Sequence, residues 1–141
     1  MGSAAADDGN AALELVILAP VLLALLGLII AAGRTSIAQG SVNAAARDAA
    51  RQASISLTPA AAQAAGQASA RTALRQDGLD CRPVVLINVS QFVTTRPGRP
   101  AAVTATVTCT ISLSDLALPV LPGSTRLQAE FTSPLDIYRS R

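Results

Sequence analysis

Hydrophobic and polar positions change texture three times along this chain. The first texture is a continuous apolar run, Asn10 to Gly33 (NAALELVILAPVLLALLGLIIAAG), whose single charge is Glu14. From Leu15 onward it holds nineteen residues without a charge. As a helix these would extend roughly 28 Å, close to the ~30 Å hydrocarbon thickness of a bilayer. A helix apolar on every face wants lipid or a packed bundle of helices around it. Pro20 lies inside this run and, by removing one backbone hydrogen bond, is expected to bend the helix there.

The second texture is amphipathic and Ala-rich. Residues 34–56, RTSIAQGSVNAAARDAARQASIS, carry Arg34, Arg47, Asp48 and Arg51. Ile37, Val42, Ala45, Ala49 and Ala53 are placed to form a narrow apolar stripe. The pattern predicts one long helix from about residue 10 to residue 56, greasy at its start and amphipathic at its end. Thr58-Pro59 then reads as an N-cap followed by Pro at the first helical position. A second Ala-rich helix follows, ending at Gly78 as a left-handed cap, with Arg71 and Arg75 near its C-terminus.

The third texture is strand-like. Residues 83–95, PVVLINVSQFVTT, are rich in β-branched residues and bounded by turn formers, which predicts a first strand. Residues 96–100 form a turn. In the next run Val103, Ala105, Val107, Cys109, Ile111 and Leu113 alternate with Thr and Ser, as in a strand with one buried and one wet face. Residues 114–123 read as a Pro-containing loop and 126–132 as a third strand, with Leu127, Ala129 and Phe131 on one side. The tail around residues 135–138 is placed to close the sheet. The predicted class is α+β: a long N-terminal helix, apolar in its first half and amphipathic in its second, a second Ala-rich helix, and a small antiparallel sheet of three or four strands. The expected organisation is a leader at 1–9, a transmembrane or assembly helix at 10–33, an amphipathic helical region at 34–80, and an extracytoplasmic β-sheet region at 81–141.

Composition narrows the chemistry. Hydrophobic residues make up 50% of the chain but aromatics only 2%, so a core built from it buries little area per residue. The eleven basic residues are all Arg, and neither Lys nor His is present. The commonest metal ligand and the usual general base near neutrality are therefore missing. No nucleophile has a credible base beside it, and an enzyme is not expected. A net charge of +2 with one Tyr and two Phe gives no stacking platform for nucleic acid. No cofactor, metal or small-molecule substrate is expected.

Cys81 and Cys109 lie outside the apolar run. In an exported domain such a pair reads as one structural disulfide, which here would pin the second helix to the sheet for roughly 2–4 kcal/mol. Two unrelated buried thiols are the alternative. Orientation is contested by the sequence itself. Arg34, Arg47 and Arg51 on the C-terminal flank would be held in the cytoplasm by the positive-inside rule. The cysteine pair and the Thr-rich strands argue for an exported C-terminal domain, and that orientation is the one adopted. The leader, MGSAAADDG, bears Asp7 and Asp8 instead of the basic residues of a secretory signal.

A carboxylate at the start of an apolar span is expensive and points to function. If the chain is cut after Gly9, Asn10 carries the new amino-terminus and Glu14 becomes the fifth residue. Asn10 and Glu14 then share a helix face, and the carboxylate can neutralise an amino-terminus of its own or of an adjacent subunit. The alternative is that Glu14 only marks the headgroup boundary. Gly9 followed by NAALE, the apolar run with Pro20, and ARDAAR at 46–51 together resemble the TadE-like minor pseudopilins of tight-adherence (Tad) pilus systems. The resemblance implies a class III leader cut by a prepilin peptidase after Gly9, with Glu14 as the fifth-position glutamate. It also implies a membrane protein whose partners are other pilin subunits and a pilus assembly platform. The rival reading is a membrane-anchored extracytoplasmic binding domain that joins no filament.

Overall fold

The structure is a computed structural model that describes residues 5–96, 98–113 and 123–135, with side chains from Leu13 onward. Its elements are α1 (Ala5–Ser54), α2 (Pro59–Gln76), β1 (Val84–Asn88), α3 (Ser90–Thr94), β2 (Ala102–Ser112) and β3 (Ser124–Pro134). The strands form one antiparallel sheet in the order β1-β2-β3. Both long helices cover one face of it: α1 lies over β2 and β3, α2 lies over β1, and the two helices pack on each other. The α+β architecture matches the one predicted from the pattern.

The single long helix is present and is longer than expected at its start. Its 50 residues correspond to roughly 75 Å of rise, and it passes through Pro20 without interruption. The backbone is already helical at Ala5; the stretch is rich in Ala, and Asp7 and Asp8 fall in the first turn, where acidic residues suit the helix dipole. The two halves of α1 have opposite surroundings. Large side chains from Leu13 to Ile30 are exposed, whereas Val42, Ala45, Ala46, Ala49, Ala50 and Ala53 are completely buried.

One position of the predicted stripe is corrected. Ile37 is 71% exposed, and Ala38 takes its place against the sheet. Ala38, Val42, Ala45, Ala49 and Ala53 keep steps of three and four, the period of a straight helix, and a stripe begun at Ile37 would be one residue out of phase.

The second helix has the ends its sequence announces. Thr58 Oγ1 accepts from the Ala61 N–H at 3.2 Å, and Pro59 is the first helical residue. At the other end Gly78 has φ +71°, its N–H donates to the Arg75 carbonyl, and the Leu79 N–H donates to the Leu74 carbonyl. This is a Schellman closure, with Leu79 beside Leu74 as its apolar contact. The buried face of α2 is Ala62, Gly66, Ala70 and Leu74, one residue per four.

The first predicted strand is half right. Residues 84–88 pair with β2, but Ser90–Thr94 is a short helical turn instead of a continuing strand. Asn88 Oδ1 accepts from the Ser90 N–H at 3.1 Å, a local side-chain bond that turns the chain. The turn drops Phe92 into the core at 6% exposure, and Gln91 Oε1 accepts from the Ala102 N–H at 2.7 Å where β2 begins. β-Branched composition alone misread these residues, since tertiary contacts outweigh strand propensity at the end of an edge strand.

β2 alternates as expected, with Val103, Ala105, Val107, Cys109 and Ile111 buried. β3 is longer than the expected 126–132; Leu127 and Ala129 are buried, while Phe131 on the same side stays 41% exposed. Leu135 is buried, and its N–H donates to the Ala101 carbonyl at 2.8 Å. The Pro-containing loop at 114–122 and the rest of the predicted closing tail lie outside the described residues.

Candidate functional site: an unpartnered apolar helix

The described surface is dominated by the free half of α1. Thirteen large aliphatic side chains between Leu13 and Ile30 are 47–72% exposed, and they point in every direction around the helix. Bare apolar surface of this extent on one element marks a membrane or an association surface. Leu13 begins a helix long and apolar enough to cross a bilayer, and only 6% of that apolar window is buried inside the protein. A core helix of a soluble domain would show the reverse.

Glu14 sits at the start of this surface and is itself exposed. Gly9 and Asn10, four and five residues earlier, lie in the helical backbone of α1. The order Gly9, Asn10, Glu14, Pro20 therefore falls along one continuous helix, with Asn10 and Glu14 one turn apart. Gly27 and Gly33 have nothing within 4 Å of an added Cβ, so both positions are open for close approach of a neighbouring helix.

The junction between the free half and the domain is fastened by polar contacts that the hydrophobic pattern could not show. Gln39 Nε2 donates to the Gln128 carbonyl at 3.0 Å, tying α1 to β3 just after the chain enters the domain. At the other end Ser133 Oγ donates to Ser54 Oγ at 3.1 Å, and Ser54 Oγ donates to the Arg51 carbonyl at 2.8 Å. Two of these contacts tie the buried half of α1 to β3 at its two ends, and the free half projects beyond them.

Cys81 and Cys109 are joined, with Cα atoms 5.9 Å apart, linking the segment after α2 to the inner face of β2. Among the described residues no group of three His, Cys, Asp or Glu side chains is placed to hold a metal. The hollows on the domain are open and shallow. One of them, about 310 Å³, lies between Arg34, Ile37 and Ala38 of α1 and the residues that follow α2.

An apolar helix long enough to cross a membrane thus projects from a small helix-on-sheet domain, with a carboxylate at its start, in an α+β protein. Residues 9–51 match the family described as TadE-like protein. The matched segment contains Gly9, Asn10, Glu14, Pro20 and the Ala46–Arg51 sequence. It ends within α1, so the similarity rests on the long helix and not on the sheet. No curated protein and no solved structure matches the chain.

Proposed function

We propose that this protein is a minor pilin, or pseudopilin, of a Tad-type pilus or secretion apparatus. Prepilin peptidase cuts after Gly9, and the mature chain begins at Asn10 with Glu14 as its fifth residue. The protein waits in the cytoplasmic membrane as a single-pass subunit with its domain outside. The assembly platform then draws it out, and its apolar helix bundles with those of other pilin subunits to initiate, extend or cap a filament.

The observation that carries this reading is the bare apolar half of α1, headed by Glu14 and lying within the TadE-like segment. A plain anchor needs the apolar surface but has no use for a carboxylate at its head. A helix that leaves lipid to pack on its neighbours needs both, because the carboxylate can neutralise an amino-terminus in a low-dielectric bundle. Removal of Asp7 and Asp8 with the leader raises the formal charge from +2 to +4, eleven Arg against seven remaining acids. The role is mechanical and calls for no cofactor.

The test is the intact mass and N-terminal sequence of the protein from its native membranes. A chain starting at Asn10 is the expected result. A chain starting at residue 1 or 2 would leave a membrane-anchored domain outside any filament, and a start near Arg34 would mean a released domain.

A further inference from the structure

α1 and β3 run in the same direction: Gln39 meets Gln128 near their shared lower end, and Ser54 meets Ser133 near their upper end. β2 runs against β3, so Ile111 lies beside the point where α1 enters the domain. The lower end of the domain is thereby defined. It comprises the C-terminal end of α2, the disulfide segment and the last residues of β2.

The inference rests on the reading of α1 as a membrane span. With Arg34 at the hydrocarbon boundary, the four residues to Ala38 rise roughly 6 Å, within a headgroup layer of roughly 5–8 Å on each side of the bilayer. Leu79, Asp80 and Ile111 line the same hollow as Ile37 and Ala38, so they stand at headgroup level too. Ile37, the apolar side chain left outside the core at 71% exposure, is then at the lipid interface.

Four further arginines surround that end. Arg71 and Arg75 border a hollow with Leu79 and Cys81; Arg82 borders another with Cys81 and Thr110. Arg126 is the register partner of Thr110 on β3. All four are exposed, as is Arg34, and among the described residues the acids nearby are Asp77 and Asp80. Guanidinium groups bind phosphate oxygens in pairs, and their long stems let the charged ends reach down to a headgroup plane.

We propose that the lower end of the domain docks on an anionic phospholipid surface, with Arg75, Arg82 and Arg126 joining Arg34 on headgroup phosphates. Docking holds the domain against the membrane until the helix is extracted. It also gives the basic flank of the apolar run a role on the outer leaflet, where the positive-inside rule would not place it.

The experiment reconstitutes the full chain in vesicles of phosphatidylcholine alone or with phosphatidylglycerol, and follows amide hydrogen exchange over residues 78–83 and 110–113. Flotation with the vesicles is scored separately. Anionic lipid is expected to slow exchange in these segments about fivefold or more, and the effect should fade between roughly 0.05 M and 0.5 M salt. The triple variant Arg75→Gln/Arg82→Gln/Arg126→Gln should float as before, melt at the same temperature in detergent, and lose the slowing. Flotation with equal exchange in both lipids, or slowing that survives in the triple variant, would overturn the docking alone. Protection that follows protein density and ignores lipid charge would assign the surface to a neighbouring subunit and overturn it as well. Failure to float would remove the membrane span and the docking together.

Discussion

A Cβ placed on Gly66 would stand 3.1 Å from the Ala49 carbonyl oxygen and 2.9 Å from Ile87 Cδ1. Gly66 is therefore a point where α1, α2 and β1 approach closely and leave no room for a side chain. The surrounding core is built of Ala for the same reason: Ala45, Ala49, Ala53, Ala62 and Ala70 are all fully buried. Small residues let two helices and a sheet approach closely without aromatic bulk.

That geometry separates two glycines of similar sequence context. Gly66→Val should destabilise the domain by about 1–3 kcal/mol, because the Ala49 backbone cannot give way. Gly40 has nothing within 4 Å of an added Cβ and lies in the interior of α1, so Gly40→Ala should stabilise by about 0.5–1 kcal/mol. Thermal unfolding of the full chain in detergent measures both, and equal effects would contradict the packing described.

The Cys81–Cys109 bond closes a loop with a sequence separation of 28 residues. Loop-closure entropy then assigns it roughly 3–4 kcal/mol, a large share of the stability of a small domain with few large apolar residues. Cys81→Ala/Cys109→Ala should lower the free energy of unfolding by roughly 3–4 kcal/mol and make the midpoint insensitive to reductant. A double variant as stable as the parent would show that the Ala-rich packing suffices.

The ends of α2 should be worth about as much as caps in other proteins. Thr58→Ala removes the acceptor for the Ala61 N–H and should cost about 1 kcal/mol. Gly78→Ala forces a side chain into φ +71° and should cost a similar ~1 kcal/mol. Urea titration monitored by circular dichroism reads both as midpoint shifts at constant slope.

Glu14→Leu distinguishes assembly from anchoring. The residue is exposed and far from the domain core, so the variant should be expressed, inserted and as stable as the parent. Filaments counted by electron microscopy should be lost or sharply reduced. Normal filaments made with Glu14→Leu would remove the carboxylate from the assembly step and leave the helix as a plain anchor.

How much of this was legible in advance depended on whether a residue answers to its neighbours in sequence or to those in space. Thr58, Pro59 and Gly78 define the ends of α2 through bonds reaching a few residues, and the sequence announces them. The apolar run from Leu15 is long enough to declare itself without any partner, and the family match at 9–51 falls on that same stretch. Val103 to Ile111 alternate because a two-sided sheet requires it. By contrast, residues 90–94 carry strand-forming side chains yet form α3. Phe92 finds a place in the core and Gln91 meets Ala102, a partner eleven positions away.

By itself, then, the sequence determined the long helix and its two chemistries, the second helix with both caps, the buried face of β2, and the placing of Glu14 at the head of the apolar run. Each follows from periodicity or from bonds within a single turn. Only the tertiary structure decided that Ala38 and not Ile37 meets the sheet and that Gly66 is a point of close approach. It also decided that Arg34, Arg75, Arg82 and Arg126, spread over 92 positions of chain, gather at one end of the domain. Those outcomes depend on the phase of a helix against a surface and on the direction of strands relative to it. Both are fixed when the elements pack together, after the local pattern has already been satisfied.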